Sequence, residues 1–225
     1  DFQSTGICRK HRPLHNAMCT NVRKQCTFVH IGCGRISFLS DTEGRTRRHD
    51  PERRERIMRA TLDVIAEQGT QGVTHRRVAA RADVPLGSMT YHFEGMDDLL
   101  QHSFSLYAQQ VGDHFDAIIA PANSPEQACK ALTDYIFSPF WEQPRHITLM
   151  MELYSYVSCN PDMREQVRRW LEGGRHWLMR HFDEATAVGL DAFVEGLLIH
   201  RVVAPAYMPR ERVHILIRRL GHCAD

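Results

Sequence analysis

From residue 50 onward, apolar side chains recur at helical spacing. Asp50-Pro51-Glu52 has the make-up of a helix start, since Asp is a good N-cap, proline fits the first turn and glutamate favours the positive helix end. Ile57, Thr61, Val64, Ile65 and Gln68 then fall at i, i+4, i+7, i+8 and i+11, a mostly apolar stripe that Gly69 stops. Thr74 can cap a second, short helix with Val78, Ala79 and Ala82 facing inward. After Asp83-Val84-Pro85 the sequence predicts a third short helix through Leu86–Phe93, and Gly95 opens a longer one, with Leu99, Leu100, Phe104, Tyr107, Val111 and Phe115 in helical register up to Pro121.

The remainder reads helix after helix. Ser124-Pro125-Glu126-Gln127 is a capping box with proline in its first turn, starting a helix that ends near Pro139. Pro144, Asn160-Pro161-Asp162 and Pro209 mark three further starts, and residues 187–204 form a particularly apolar helix between the last two. No sustained alternation predicts a strand. The fold class is all-α, about nine helices, with a three-helix unit in front and a larger bundle behind. Residues 1–44 show no period and read as a poorly ordered extension, part of it expected to lie outside the working protein. Residues 45–95 and 96–225 read as the front unit and the bundle.

A length of 225 residues accommodates two such units, and no apolar run approaches the roughly 18 residues of a membrane span, so the expectation is a cytoplasmic protein without a membrane partner. The net charge of +1 hides a gradient. Residues 1–48 carry nine Lys/Arg against three Asp/Glu, residues 49–93 seven against six, and residues 94–225 twelve against eighteen. A front this basic suggests a polyanion partner there. Of the seven cysteines, Cys8, Cys19, Cys26 and Cys33 crowd the beginning among histidines, but their spacings match no zinc pattern, so no metal is expected. No G-x-S-x-G, H-E-x-x-H, phosphate-binding glycine loop or C-x-x-C is present, which argues against an enzyme and a cofactor.

Two short helices joined by a tight turn, behind a longer packing helix, is the plan that sets one helix into the DNA major groove. Ala79 and Ala82 let the pair cross closely, while Ser88 and Thr90 offer short polar side chains for base edges. The run Thr74-His75-Arg76-Arg77-Val78-Ala79-Ala80-Arg81-Ala82-Asp83-Val84-Pro85-Leu86-Gly87-Ser88-Met89-Thr90-Tyr91-His92-Phe93, followed by Asp97-Asp98-Leu99-Leu100, closely resembles the DNA-binding domain of TetR-family transcriptional regulators. The resemblance implies that Leu86, Gly87, Ser88 and Thr90 lie at the groove and that Tyr91, His92 and Thr74 hold phosphates. It further implies that Arg76 and Arg77 flank the backbone and that Arg45, Arg47 and Arg48 form a basic arm. Where the family usually has a lysine near the start of the fourth helix, this chain has Met96, which removes one phosphate contact. Arg76 and Arg77 also fit an ordinary solvated face, and Tyr91 and Phe93 also fit a core.

Behind this unit the chain is rich in bulky residues, among them Phe104, Tyr107, Phe137, Trp141, Met150, Tyr154 and Trp177, which either fill a core or line a cavity for a small molecule. One short helix reads few base pairs, so the expected partners are an operator duplex, a second copy of the chain and an unidentified small ligand. Gly189, Ala192, Gly196, Leu197 and Val203 are the candidates for the seam between copies, unless that seam is internal core. The alternative to a DNA regulator is a helical interaction module.

Overall fold

The computed structural model describes residues 50–204, 206 and 208–223. The extension, the first four cysteines and the arm residues Arg45, Arg47 and Arg48 lie outside them. Ten α-helices follow one another among the described residues, with no strand: α1 (Arg53–Gln68), α2 (His75–Arg81), α3 (Gly87–His92), α4 (Met96–Ile119), α5 (Pro125–Ile136), α6 (Pro139–Glu142), α7 (Pro144–Cys159), α8 (Pro161–Leu178), α9 (Glu184–Val203) and α10 (Arg210–Leu220). The single-turn α6 is too short to show a period in sequence.

The ends of these helices follow local chemistry. Ser124 accepts the Gln127 backbone N–H at 3.2 Å, and the Gln127 side chain reaches back to the N–H of Asn123, one residue before the position a capping box uses. Asp183 caps α9 through the Thr186 N–H at 2.9 Å. Asp50 does not cap α1: its carboxylate is taken by Arg56 at 2.7 Å, and the helix starts after Glu52. That ion pair holds the Asp50 carboxyl below its usual range.

The stripe predicted on α1 is buried from Ile57 to Ile65, with the Thr61 hydroxyl donating to the Ile57 carbonyl at 2.9 Å so that its polarity is absorbed inside the helix. Gln68, at the end of the stripe, is exposed. One continuous core runs from Ile57, Val78 and Met89 through Leu99, Phe104 and Tyr107 to Leu153, Leu190 and Ile217. The helix α4, 24 residues long, spans that core and packs on both α1 and α8.

Candidate nucleic-acid interface and cavity

The turn between α2 and α3 is set by Asp83, whose φ of 51° lies in the left-handed region that Asp tolerates better than most residues. The Val84 N–H closes it on the Ala79 carbonyl at 3.0 Å. Val78, Ala79 and Ala82 are buried and small enough for the close crossing, and Met89 and Phe93, 1% and 4% exposed, pin α3 to the core. A six-residue helix with two such anchors has its other side free for a partner.

That outward side comprises Leu86, Gly87, Thr90 and Tyr91, all exposed, with Tyr91 at 83%. Thr90 makes only a 3.3 Å bond to the Gly87 carbonyl within the helix. Ser88, expected at the groove, points inward. It lies one residue before Met89 on the inward side and is 9% exposed, so its hydroxyl does not face a groove. His92 is half-buried, and desolvation, with Arg53 and Arg54 nearby, lowers its pKa, so near neutral pH it offers a hydrogen bond without a positive charge. Thr74 caps α2 by accepting the Arg77 N–H at 3.2 Å. Arg76 and Arg77 are both exposed, although the Arg77 guanidinium is bonded to the Gly72 carbonyl. Met96 is half-buried and packs on the core.

The bundle contains a partly open cavity between α4, α5, α6, α7, α8 and α9. Of the predicted lining residues, Trp141 and Met150 are in its wall. Phe104 and Tyr107 are not: both are fully buried, Phe104 against the Tyr156 ring at 5.2 Å and Tyr107 with its hydroxyl donating to the His146 carbonyl at 2.5 Å. Phe137 is also elsewhere, under the guanidinium groups of Arg201 and Arg210 at 4.3 and 5.5 Å. Tyr154 and Trp177 are not in the lining; Tyr154 donates to the cavity acid Glu195 at 2.5 Å.

Those acids, Asp116, Asp191 and Glu195, face the cavity and were not among the sequence candidates. Burial raises the pKa of each. A signal existed, because Asp191 and Glu195 interrupt the otherwise apolar α9 at i and i+4, which puts two carboxyls on one inward stripe. Such interruptions of a buried helix face are costly unless the site uses them.

The seam candidates separate. Gly189, Ala192 and Val203 are exposed and Gly196 is half-exposed, but Leu197 is 3% exposed and belongs to the chain's own core with Leu190, Val194 and Leu198. Val188, Val202, Ile215 and Leu220, all at least 40% exposed, extend the apolar surface along α9 and α10.

A model of the bacterial regulatory proteins of the tetR family matches residues 57–102, which span α1 to the first turns of α4. A Streptomyces coelicolor A3(2) transcriptional regulator of solved structure is 40% identical, covering 76% of this chain and 99% of its own, with a TM-score of 0.70. A TetR-family member from Streptomyces coelicolor A3 is 30% identical, covering 76% of this chain and 98% of its own, with a TM-score of 0.62. The multidrug binding protein EbrR, in complex with ethidium, is 33% identical over 76% of this chain and 99% of its own, with a TM-score of 0.61.

Proposed function

The chain belongs to the TetR family of bacterial regulatory proteins and is a DNA-binding transcriptional regulator, and on that premise we propose that it grips an operator duplex as a homodimer and loosens when a small molecule enters the cavity. The observation that carries the reading is the outward side of α3, where Leu86, Gly87, Thr90 and Tyr91 stand exposed on a helix fixed from behind by Met89 and Phe93. In this proposal Leu86, Gly87 and Thr90 meet base edges, while Tyr91, His92, Thr74, Arg76, Arg77 and the arm residues Arg45, Arg47 and Arg48 meet phosphates. Six residues span about 9 Å of helix, too little for useful specificity alone. Two copies supply two half-sites, and the exposed apolar positions of α9 and α10, with small residues at Gly189 and Ala192, support that seam.

Control by a small molecule is supported by the cavity and by EbrR, crystallised with ethidium and with proflavin. Two elements connect the cavity to the reading unit. The helix α4 contributes Val111, Gly112, Phe115 and Asp116 to the wall and also packs on α1. The helix α7 contributes Met150, and its Glu152, on another side, accepts both the Thr70 N–H at 2.9 Å and the Thr70 hydroxyl at 2.6 Å. Arg145 on α7 adds an ion pair to Asp63 on α1 at 3.0 Å. A ligand that binds the non-reading arrangement more tightly shifts both helices together, and with them the spacing of the two α3 helices. The proposal involves no catalysed reaction, metal or cofactor, and sets the protein in the cytoplasm beside its operator. Among the described residues no helix is long and apolar enough to cross a membrane.

The test is selection of duplex fragments from the source genome, followed by sedimentation of the complex. A symmetric site bound by two chains supports the reading. Binding with the same affinity for every fragment, or by a single chain, refutes it.

A further inference from the structure

We propose that the cavity takes a flat organic cation, held between its aromatic walls and its half-buried carboxyls. This deepens the regulator reading and rests on it only in calling the occupant an effector. Asp191 and Glu195 project from one stripe of α9, and Asp116 comes from α4. The guanidinium beside them, Arg175, is already committed to Asp191 at 2.8 Å, with both side chains largely shielded from water. Three carboxyls against one paired guanidinium leave the interior negative when they are ionised. An anionic occupant would meet repulsion, and an uncharged one would leave the excess negative charge uncompensated, although Tyr154 and Arg175 already bond to Glu195 and Asp191.

The walls fit a flat ring system. Phe115, Tyr135, Trp141 and Trp170 line the space, with Phe115 and Trp141 set edge-on to the Tyr135 ring at 5.0 and 5.7 Å. Ring faces of this kind attract a delocalised positive charge. Gly112 and Gly174 face the Trp170 and Phe115 rings, at distances where a Cβ would make ordinary van der Waals contact, 3.4 and 3.7 Å.

A separate observation points to an occupant. Trp141 is 5% exposed, lines the cavity, and its Nε1–H has no hydrogen-bond partner. A buried donor left unsatisfied costs stability, and a ligand with an acceptor atom would satisfy it. Burial also raises the pKa of all three carboxyls, as expected of acids whose counter-charge arrives with a ligand.

The test uses the purified full chain and three dyes: proflavin, a flat cation; acridine, the same three-ring frame without the charge at mildly alkaline pH; and fluorescein, a flat anion. Fluorescence titration is expected to show proflavin bound about tenfold or more tighter than acridine, with no saturable fluorescein binding. Glu195→Gln and Asp116→Asn, on different helices, are each expected to remove most of that margin while leaving acridine affinity within about twofold. Should one variant fail to fold, as judged by its melting curve, the other decides. Equal affinity for proflavin and acridine overturns the proposal, as does a charge margin that survives in both variants. Duplex binding measured on the same samples without dye keeps the two readings apart. A chain that prefers the cation but selects no duplex refutes only the regulator, and one that holds its duplex but ignores ligand charge refutes only the cation site.

Discussion

The reading helices and the cavity use polar groups in opposite ways. On α3 the outward polar groups stand in water, Tyr91 at 83% exposure, while two apolar anchors underneath hold the helix. In the cavity the polar groups are partly shielded and lean on one another, Tyr154 on Glu195 and Arg175 on Asp191. Water solvates the first set at no cost to the fold, so a partner must displace that water and match its hydrogen bonds. The second set is already partly desolvated, so an occupant of matching charge removes a burden the empty fold carries. The first surface should therefore lose binding when changed and keep its stability, and the second should trade one for the other.

The largest expected effect tests the first half of that contrast. Met89→Ala empties a fully buried site and should cost about 2–4 kcal/mol of stability, whereas Tyr91→Ala should change stability by less than about 0.5 kcal/mol and weaken binding to every duplex alike. Thermal melts beside duplex titration check both. A strongly destabilised Tyr91→Ala would place that ring in the core.

A smaller effect concerns the link between the regions. Glu152→Ala removes the carboxylate that holds Thr70, so proflavin and duplex should each bind within about threefold of wild type while the dye's effect on duplex affinity shrinks by about tenfold. Titrating duplex with and without dye measures it. An undiminished effect would leave α4 alone as the connection.

The smallest effect is on the stability of the empty cavity. Burial raises the Glu195 pKa above its value in the unfolded chain, so the folded state holds that proton more tightly. The ligand-free chain therefore gains stability as pH falls through the raised folded value and is less stable above it. Glu195→Gln should flatten that dependence and raise the neutral-pH melting temperature by about 2 °C. A lower melting temperature would mean that the Tyr154 bond outweighs the burial.

Much of the reading unit was legible in the sequence because it is local: one stripe on α1, one turn at Asp83 and one cap at Thr74 lie within about thirty residues. Ser88 was misplaced because a six-residue helix is too short for a period to fix its rotation, and only the anchors Met89 and Phe93 settle which side is inner. The cavity was less legible because six helices build it, with lining residues spread over positions 111–198. Bulk alone does not separate Phe104, which plugs the core, from Trp141, which lines the space. Leu197 was misread for a related reason, since an apolar helix such as α9 carries a core side and an exposed side made of the same residue types.

Whether the outward side of α3 reads sequence is measured by selection from a randomised duplex pool with wild type, Thr90→Ala and Ser88→Ala. Thr90→Ala should relax the preference at one position, repeated symmetrically in both half-sites, at a cost of about 1–3 kcal/mol for the preferred base, while Ser88→Ala should return the wild-type profile. Identical profiles from wild type and Thr90→Ala, with Ser88→Ala the one that changes, would contradict that role for the outward side.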